Sequence, residues 1–327
     1  MTRFLVAPDS FKGTLSARQV AEAIGRGLED AGAVPDLCPA ADGGEGTADV
    51  LLDALGGERR TAEVHDPLGR AIEATYALVR DGSEAVVEVA AASGLGLVGE
   101  EERDAERASS AGTGELIVAA AAAGADRILV AAGGSATTDG GRGAIDAIEA
   151  AGGLGDRRIE VLCDTTVPFE RAAAVFAPQK GASSEAVERL TSRLAAEAGA
   201  LPRDPRGRAM TGAAGGLSGG LWAAFGAHLV LGSTFVLGVV GFDRRLEQAD
   251  AAITGEGRLD AQSREGKLTG QIARRCRDAR VPCHLIAGEI ALDPDDEAWF
   301  GFATLASAGS RDSISGAAER IAASASG

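Results

Sequence analysis

Apolar runs alternate with glycine- and acid-rich breakers in a strand–helix rhythm at both ends of this chain, while a longer middle is punctuated differently. Residues 4–7 are an apolar run stopped by Pro8-Asp9-Ser10 and predict a strand. Residues 15–31 carry apolar positions at helical spacing, with Ser16 or Thr14 placed to cap them. A second strand is predicted over 34–39 and a second helix over 47–55. The rhythm resumes with a strand at 251–254 and a loop Gly255-Glu256-Gly257-Arg258-Leu259-Asp260, followed by a helix over 268–279. A strand at 283–287 ends in Gly288-Glu289 and leads to an acid-rich helix. A last strand at 303–307 precedes a closing helix that Asp312 or Ser313 would cap. Five strands alternating with five helices predict a small doubly wound parallel α/β sheet.

The middle, residues 66–244, opens on a turn signal, Asp66-Pro67-Leu68-Gly69. It holds apolar runs at 85–89, 127–131, 159–162 and 173–176, and glycine-rich stretches at 133–143 and 212–220. A second α/β domain (66–244) inserted into a discontinuous first domain (1–65 and 245–327) is the simplest organisation.

Composition narrows the function classes. At 327 residues the chain is long enough to bury its cores without covalent staples. Cys38, Cys163, Cys276 and Cys283 form no C-x-x-C pair, which fits reduced thiols in the cytoplasm. The first apolar run is too short for a signal peptide, and the alanine-rich stretch 117–125 is too short to cross a bilayer. A soluble cytoplasmic protein with no membrane partner is expected. The net charge of −16 and the lack of a basic block argue against nucleic acid. Only three lysines, Lys12, Lys180 and Lys267, stand among 29 arginines, each beside a glycine. A compact ammonium next to flexible backbone is a common phosphate contact.

In open parallel sheets, ligands bind beyond the carboxyl ends of the strands. Those ends carry Asp9, Ser10 and Lys12; Asp42 and Glu45 among three glycines and a threonine at 42–47; Glu256, Arg258 and Asp260; and Glu289. Loop carboxylates gathered at one edge suit a hard cation such as Mg²⁺, or a general base. In the middle segment, Gly133, Gly134, Ser135, Thr137 and Thr138 follow a predicted strand and offer backbone and hydroxyl donors to phosphate, with Asp139 alongside. Asp164 ends the next strand, and the stretch 211–220 reads equally as an anion nest or as close helix packing. Neither a Walker A loop nor G-x-G-x-x-G after the first strand is present, which counts against P-loop and dinucleotide enzymes. His65, His228 and His284 lie singly, so a hydrolase triad has no support.

These loops together resemble bacterial type-1 glycerate kinases. The matching segments are 7–13, 41–47, 88–95, 112–117, 133–137, 178–182 and 254–260, in family order over nearly the whole chain. The resemblance implies a flavodoxin-like domain split by an inserted α/β domain, with the active site in the interdomain cleft. It also implies ATP and Mg²⁺ acting on D-glycerate, with 2-phosphoglycerate as product, in a monomer or homodimer. On this reading Lys12, Asp42, Asp164 and Lys180 serve catalysis. Asp9, Ser10, Arg258 and Asp260 hold the substrate, with Arg258 on its carboxylate. Gly133, Gly134, Ser135, Thr137 and Thr138 hold the ATP phosphates, and Glu45, Asp139 and Glu256 hold the metal. Three departures stand out: a short link from Gly141 to Cys163, Thr138 where asparagine is usual, and Glu289 where serine is usual. The alternatives are a kinase of a related hydroxyacid giving another phosphate regioisomer, and a non-catalytic small-acid-binding protein.

Overall fold

The computed structural model describes residues 1–264 and 267–325. In chain order its strands are β1 (Arg3–Val6), β2 (Val34–Leu37), β3 (Gly57–His65), β4 (Ala71–Val79), β5 (Glu84–Glu88) and β6 (Arg127–Ala131). They continue with β7 (Arg158–Cys163), β8 (His228–Leu231), β9 (Ala251–Asp260), β10 (Cys283–Ala291) and β11 (Thr304–Ser307). The chain divides into two compact units, Met1–Asp42 with Ser233–Gly327, and Gly43–Gly232.

The first unit holds a five-stranded sheet in the order β11-β10-β9-β1-β2, parallel throughout. Counting strands within the unit, this is the 2-1-3-4-5 order of doubly wound, flavodoxin-like sheets, and the order reverses between β1 and β9. Ser16 starts the helix Ala17–Asp30 with a reciprocal capping box: its hydroxyl accepts from Gln19 N (3.2 Å) while Gln19 Oε1 accepts from Ser16 N (3.1 Å). The apolar stripe Val20, Ile24 and Leu28 buries against one sheet face together with the helix Arg311–Ala325. Gly27 is required there, because a Cβ would lie 1.9 Å from Ser315 O on that neighbouring helix. Alternation along β10 splits the two cores. Ile286 points to this face, whereas Leu285 and Ala287 pack with Ala273 and Phe300 on the other.

The second unit holds a six-stranded sheet, β3-β4-β5-β6-β7-β8, in which β3–β4–β5 pair antiparallel and β5 to β8 parallel. Its core joins Val87, Val130 and Val161 to Leu116, Ile117 and Leu217 of the surrounding helices.

Several expectations change. The segment 255–260, expected as a loop, continues β9, paired with a β10 that likewise extends through Gly288-Glu289. Asp66-Pro67-Leu68-Gly69 is the turn of the β3–β4 hairpin and not a domain entrance; Asp66 Oδ1 accepts from Leu68 N (2.8 Å) and Arg70 N (2.9 Å). The run 173–176 lies in the helix Ala172–Phe176. The closing helix begins earlier, with Ser310 and Ser313 in reciprocal contact. The helix Thr47–Leu55 packs on β4 and β5, so the units part at 42/43 and 232/233, not at 65/66 and 244/245.

Candidate active site

At the order reversal of the first sheet, the chain leaving β1 stays on β9: Ala7 N donates to Ile253 O and Asp9 N to Gly255 O, both at 2.8 Å. Phe11 then turns inward and buries to 3 % exposure, which anchors the turn and leaves its neighbour Lys12 exposed. Gly257 lies against this crossing: a Cβ there would touch Lys12 N and Phe11 Cα at an ordinary contact distance of 3.4 Å.

A pocket of about 450 Å³ opens at this point. From the β1 turn it takes Asp9, Ser10 and Lys12; from beyond β2, Asp42; from β9, Glu256, Arg258 and Asp260; and from the helix Leu268–Ala279, Thr269 with the N-cap residue Lys267. Seven residues proposed from sequence thus share one hollow within the first unit, and Lys267 joins them. The lysine–glycine signal had pointed to Lys267, although its neighbour Gly266 lies outside the described residues.

The electrostatics of this pocket are strained. Burial pushes the Asp9 carboxyl well above its ordinary value, and the charge of Asp42 pushes it further, against the pull of Lys12. Burial likewise lifts Glu256 to about 7, opposed by the hydroxyl of Thr269, the charge of Lys267 and the hydroxyl of Ser263. Ser263 Oγ donates to Glu256 Oε2 at 3.0 Å, whereas Glu256 Oε1 and Ser10 Oγ are buried with no partner among the described residues. Orphaned buried polar atoms beside crowded carboxyls are what a bound ligand or cation would satisfy.

Arg258 requires correction as a ready substrate contact. Its Nη1 already donates to Glu289 at 2.9 and 3.0 Å, and its Nε lies 3.6 Å from Asp260. The departure at Glu289 therefore occupies the guanidinium expected to meet a substrate carboxylate.

The second unit gathers its own edge. Parallel pairing sets the carboxyl ends of β5, β6, β7 and β8 side by side, delivering Glu88, Gly133, Asp164 and Gly232. The turn Gly43-Gly44 packs directly on this edge. A Cβ on Gly133 would lie 2.5 Å from Gly44 Cα, and Gly133 N donates to Gly43 O at 3.3 Å. Asp164 sits alongside, its Oδ2 3.4 Å from the same Cβ position.

Lys180 threads beneath this loop at 2 % exposure and donates to Ser135 Oγ (3.0 Å) and Thr137 O (2.5 Å). Burial draws its ammonium down to about 8, against the nearby charges of Asp139 and Asp164. Thr137 and Thr138 are wholly buried, and their hydroxyls have no partner among the described residues, as at Ser10 and Glu256. Asp139 is also corrected. Its Oδ2 accepts from Ser110 N and Oγ (each 2.8 Å) and Gly143 N (3.2 Å), and its Oδ1 from Gly141 N (3.0 Å). Both oxygens are occupied in holding the loop, so Asp139 is removed from the metal set. Glu45 is exposed on the turn before the helix Thr47–Leu55. The stretch 211–220 is close packing: a Cβ on Gly215 would lie 1.9 Å from Thr137 O.

Among the described residues no group of three or more His, Cys, Asp or Glu side chains is placed to hold a metal ion. Mg²⁺, however, is usually held by one or two carboxylates together with substrate phosphates. The oxygen donors Asp42 and Glu256 fit that requirement. All four cysteines are free thiols, and no described helix is long and apolar enough to cross a membrane.

Comparison with known proteins gives the family. The glycerate kinase family model matches residues 4–152 and 144–324. The glycerate kinase of Bacillus subtilis (strain 168) is 38% identical, covering 89% of this chain and 86% of its own. The glycerate 2-kinase of Escherichia coli (strain K12) is 35% identical with the same coverage. A crystal structure of a protein assigned as glycerate kinase 2 from Salmonella typhimurium LT2 superposes with a TM-score of 0.82 at 35% identity, over 99% of this chain and 98% of that one. The protein is therefore a kinase, and the chain belongs to the glycerate kinase family.

Proposed function

We propose that the protein transfers the terminal phosphoryl group of ATP to D-glycerate with Mg²⁺, giving 2-phosphoglycerate, in the reducing cytoplasm. The observation that carries this reading is the pocket at the β1/β9 reversal, where Lys12 and Lys267 stand among Asp9, Asp42 and Glu256. Phosphoryl transfer needs positioning and charge neutralisation more than covalent chemistry. Lys12 neutralises charge developing on the transferred group, and Lys267 supports it. Ser10 Oγ and Glu256 Oε1 receive the hydroxyl groups of the small acid. Asp42 and Glu256 would hold Mg²⁺, which would supply charge neutralisation to the phosphates. In the second unit, the Gly133-Gly134-Ser135 turn meets phosphate oxygens, and Asp164 is its acidic partner. Lys180 holds Ser135 in place.

The test is direct. Purified protein with MgATP and D- or L-glycerate is followed for ADP, and the product is identified by phosphorus NMR. No ADP above the glycerate-free rate would sink the reading. The Arg258–Glu289 pair favours one second reading, a related hydroxyacid as the preferred substrate. A panel of hydroxyacids in the same assay separates the two.

A further inference from the structure

Glu88 closes β5, half-buried, and no role proposed above uses it. The helix Thr47–Leu55 starts at Gly46, which is in the left-handed region (φ 92°) and supplies no side-chain cap. Its first amides would be orphans. Glu88 Oε1 accepts from Ala48 N at 2.8 Å, and the same carboxyl accepts from the Gly46 amide. A residue forty positions away thus caps the helix.

The chain immediately after Glu88 grips the other candidate loop of this unit. Ser93 O accepts from Ala136 N (2.9 Å), and Leu95 N donates to Gly134 O (2.8 Å). Gly94 and Ser135 form an isolated antiparallel bridge. One short segment therefore touches the turn before helix Thr47–Leu55 at one end and the 133–138 loop at the other.

We propose that Glu88 is a positioning residue of the kinase reaction: from the end of β5 it holds the acidic, glycine-rich turn 43–46 in register with the loop 133–138. The claim rests on the glycerate kinase reading for its activity readout. A turn built from glycines has no side chains to fix its own path, and displacing a reacting group by about 1 Å can cost about 10²-fold in rate.

The test compares wild type, Glu88→Ala and Glu88→Gln for kcat and KM, each well below its own Tm, and for hydrogen exchange at amides 43–50. Alanine removes the acceptor. It should lower kcat by about tenfold or more and accelerate exchange in 43–50. Glutamine keeps an oxygen acceptor without the charge and should recover much of both. Alanine kcat within about twofold of wild type, or lowered with exchange in 43–50 unchanged, overturns the proposal. Should Glu88→Ala fail to fold, Glu88→Met, which fills the space without an acceptor, decides: slower turnover together with faster exchange in 43–50 supports the role, and neither change, or either change alone, overturns it. Wild type that releases no ADP with glycerate sinks the substrate reading alone, since exchange at 43–50 still tests the cap.

Discussion

The ammonium of Lys180 lies 3.0 Å from Ser135 Oγ inside the second unit, where it acts as an internal strut beneath the loop. Removing a buried cation leaves its partners unpaired. Lys180→Met should destabilise the protein by about 3 kcal/mol, read by urea titration, and lower kcat at the same time. Full stability with lost activity would instead mark Lys180 as a direct phosphate contact.

Lys12 is exposed on a turn anchored by Phe11, so its side chain can be replaced without disturbing a core. Lys12→Met should lower kcat about 10²–10³-fold at unchanged Tm. Normal turnover would remove Lys12 from the chemistry.

Glu289 holds the guanidinium of Arg258 at the pocket rim. Both side chains are more than half exposed, so the pair itself is weak. Glu289→Ser should free Arg258, remove one repelling charge and lower the KM for glycerate about two- to fivefold. A raised or unchanged KM would show that Arg258 does not meet the substrate.

Asp139 receives four hydrogen bonds. Asparagine would turn an amide donor toward one of them. Asp139→Asn should cost about 2–3 kcal/mol of stability and leave the Mg²⁺ concentration for half-maximal rate unchanged. A large shift in Mg²⁺ dependence would restore Asp139 to the metal set.

Stability should dip between about pH 7 and 8. Glu88 and Glu256, raised from 4.5 to about 7, keep protons in the folded state that the unfolded chain has released, so their contribution falls as pH rises from 4.5 to 7. Lys180, lowered from 10.5 to about 8, has the opposite effect: the unfolded chain holds the extra proton between 8 and 10.5, so stability rises with pH there. Melting curves across this range check both arms. The variant Glu88→Gln/Glu256→Gln should flatten the acid arm, and an unchanged arm would refute the assignment.

Much of the architecture was legible in the chain, because local physics sets it. The helices Thr47–Leu55 and Leu268–Ala279 begin and end where periodicity and breakers put them, and Ser16 caps the first helix as its spacing with Gln19 requires. Two of the three glycine-flanked lysines, Lys12 and Lys267, line the pocket together with the strand-end carboxylates Asp9, Asp42, Glu256 and Asp260. The hairpin β3–β4 escaped notice because β3 is an almost wholly exposed edge strand with no apolar run. The extension of β9 through 255–260 escaped for a related reason: glycines there read as a loop, although a Cβ on Gly255 would lie 2.6 Å from Ile286 O on the paired strand.

Residue types and their order along the chain determined the family, the strand-end chemistry and the small set of cations. Only the tertiary structure decided which of these groups face a pocket and which are consumed internally. Asp139 and Asp42 are both carboxylates after predicted strands, yet one is saturated by Ser110, Gly141 and Gly143 while the other lines a hollow. Hydrogen-bond satisfaction and burial depend on neighbours distant in sequence, and no spacing along the chain encodes them.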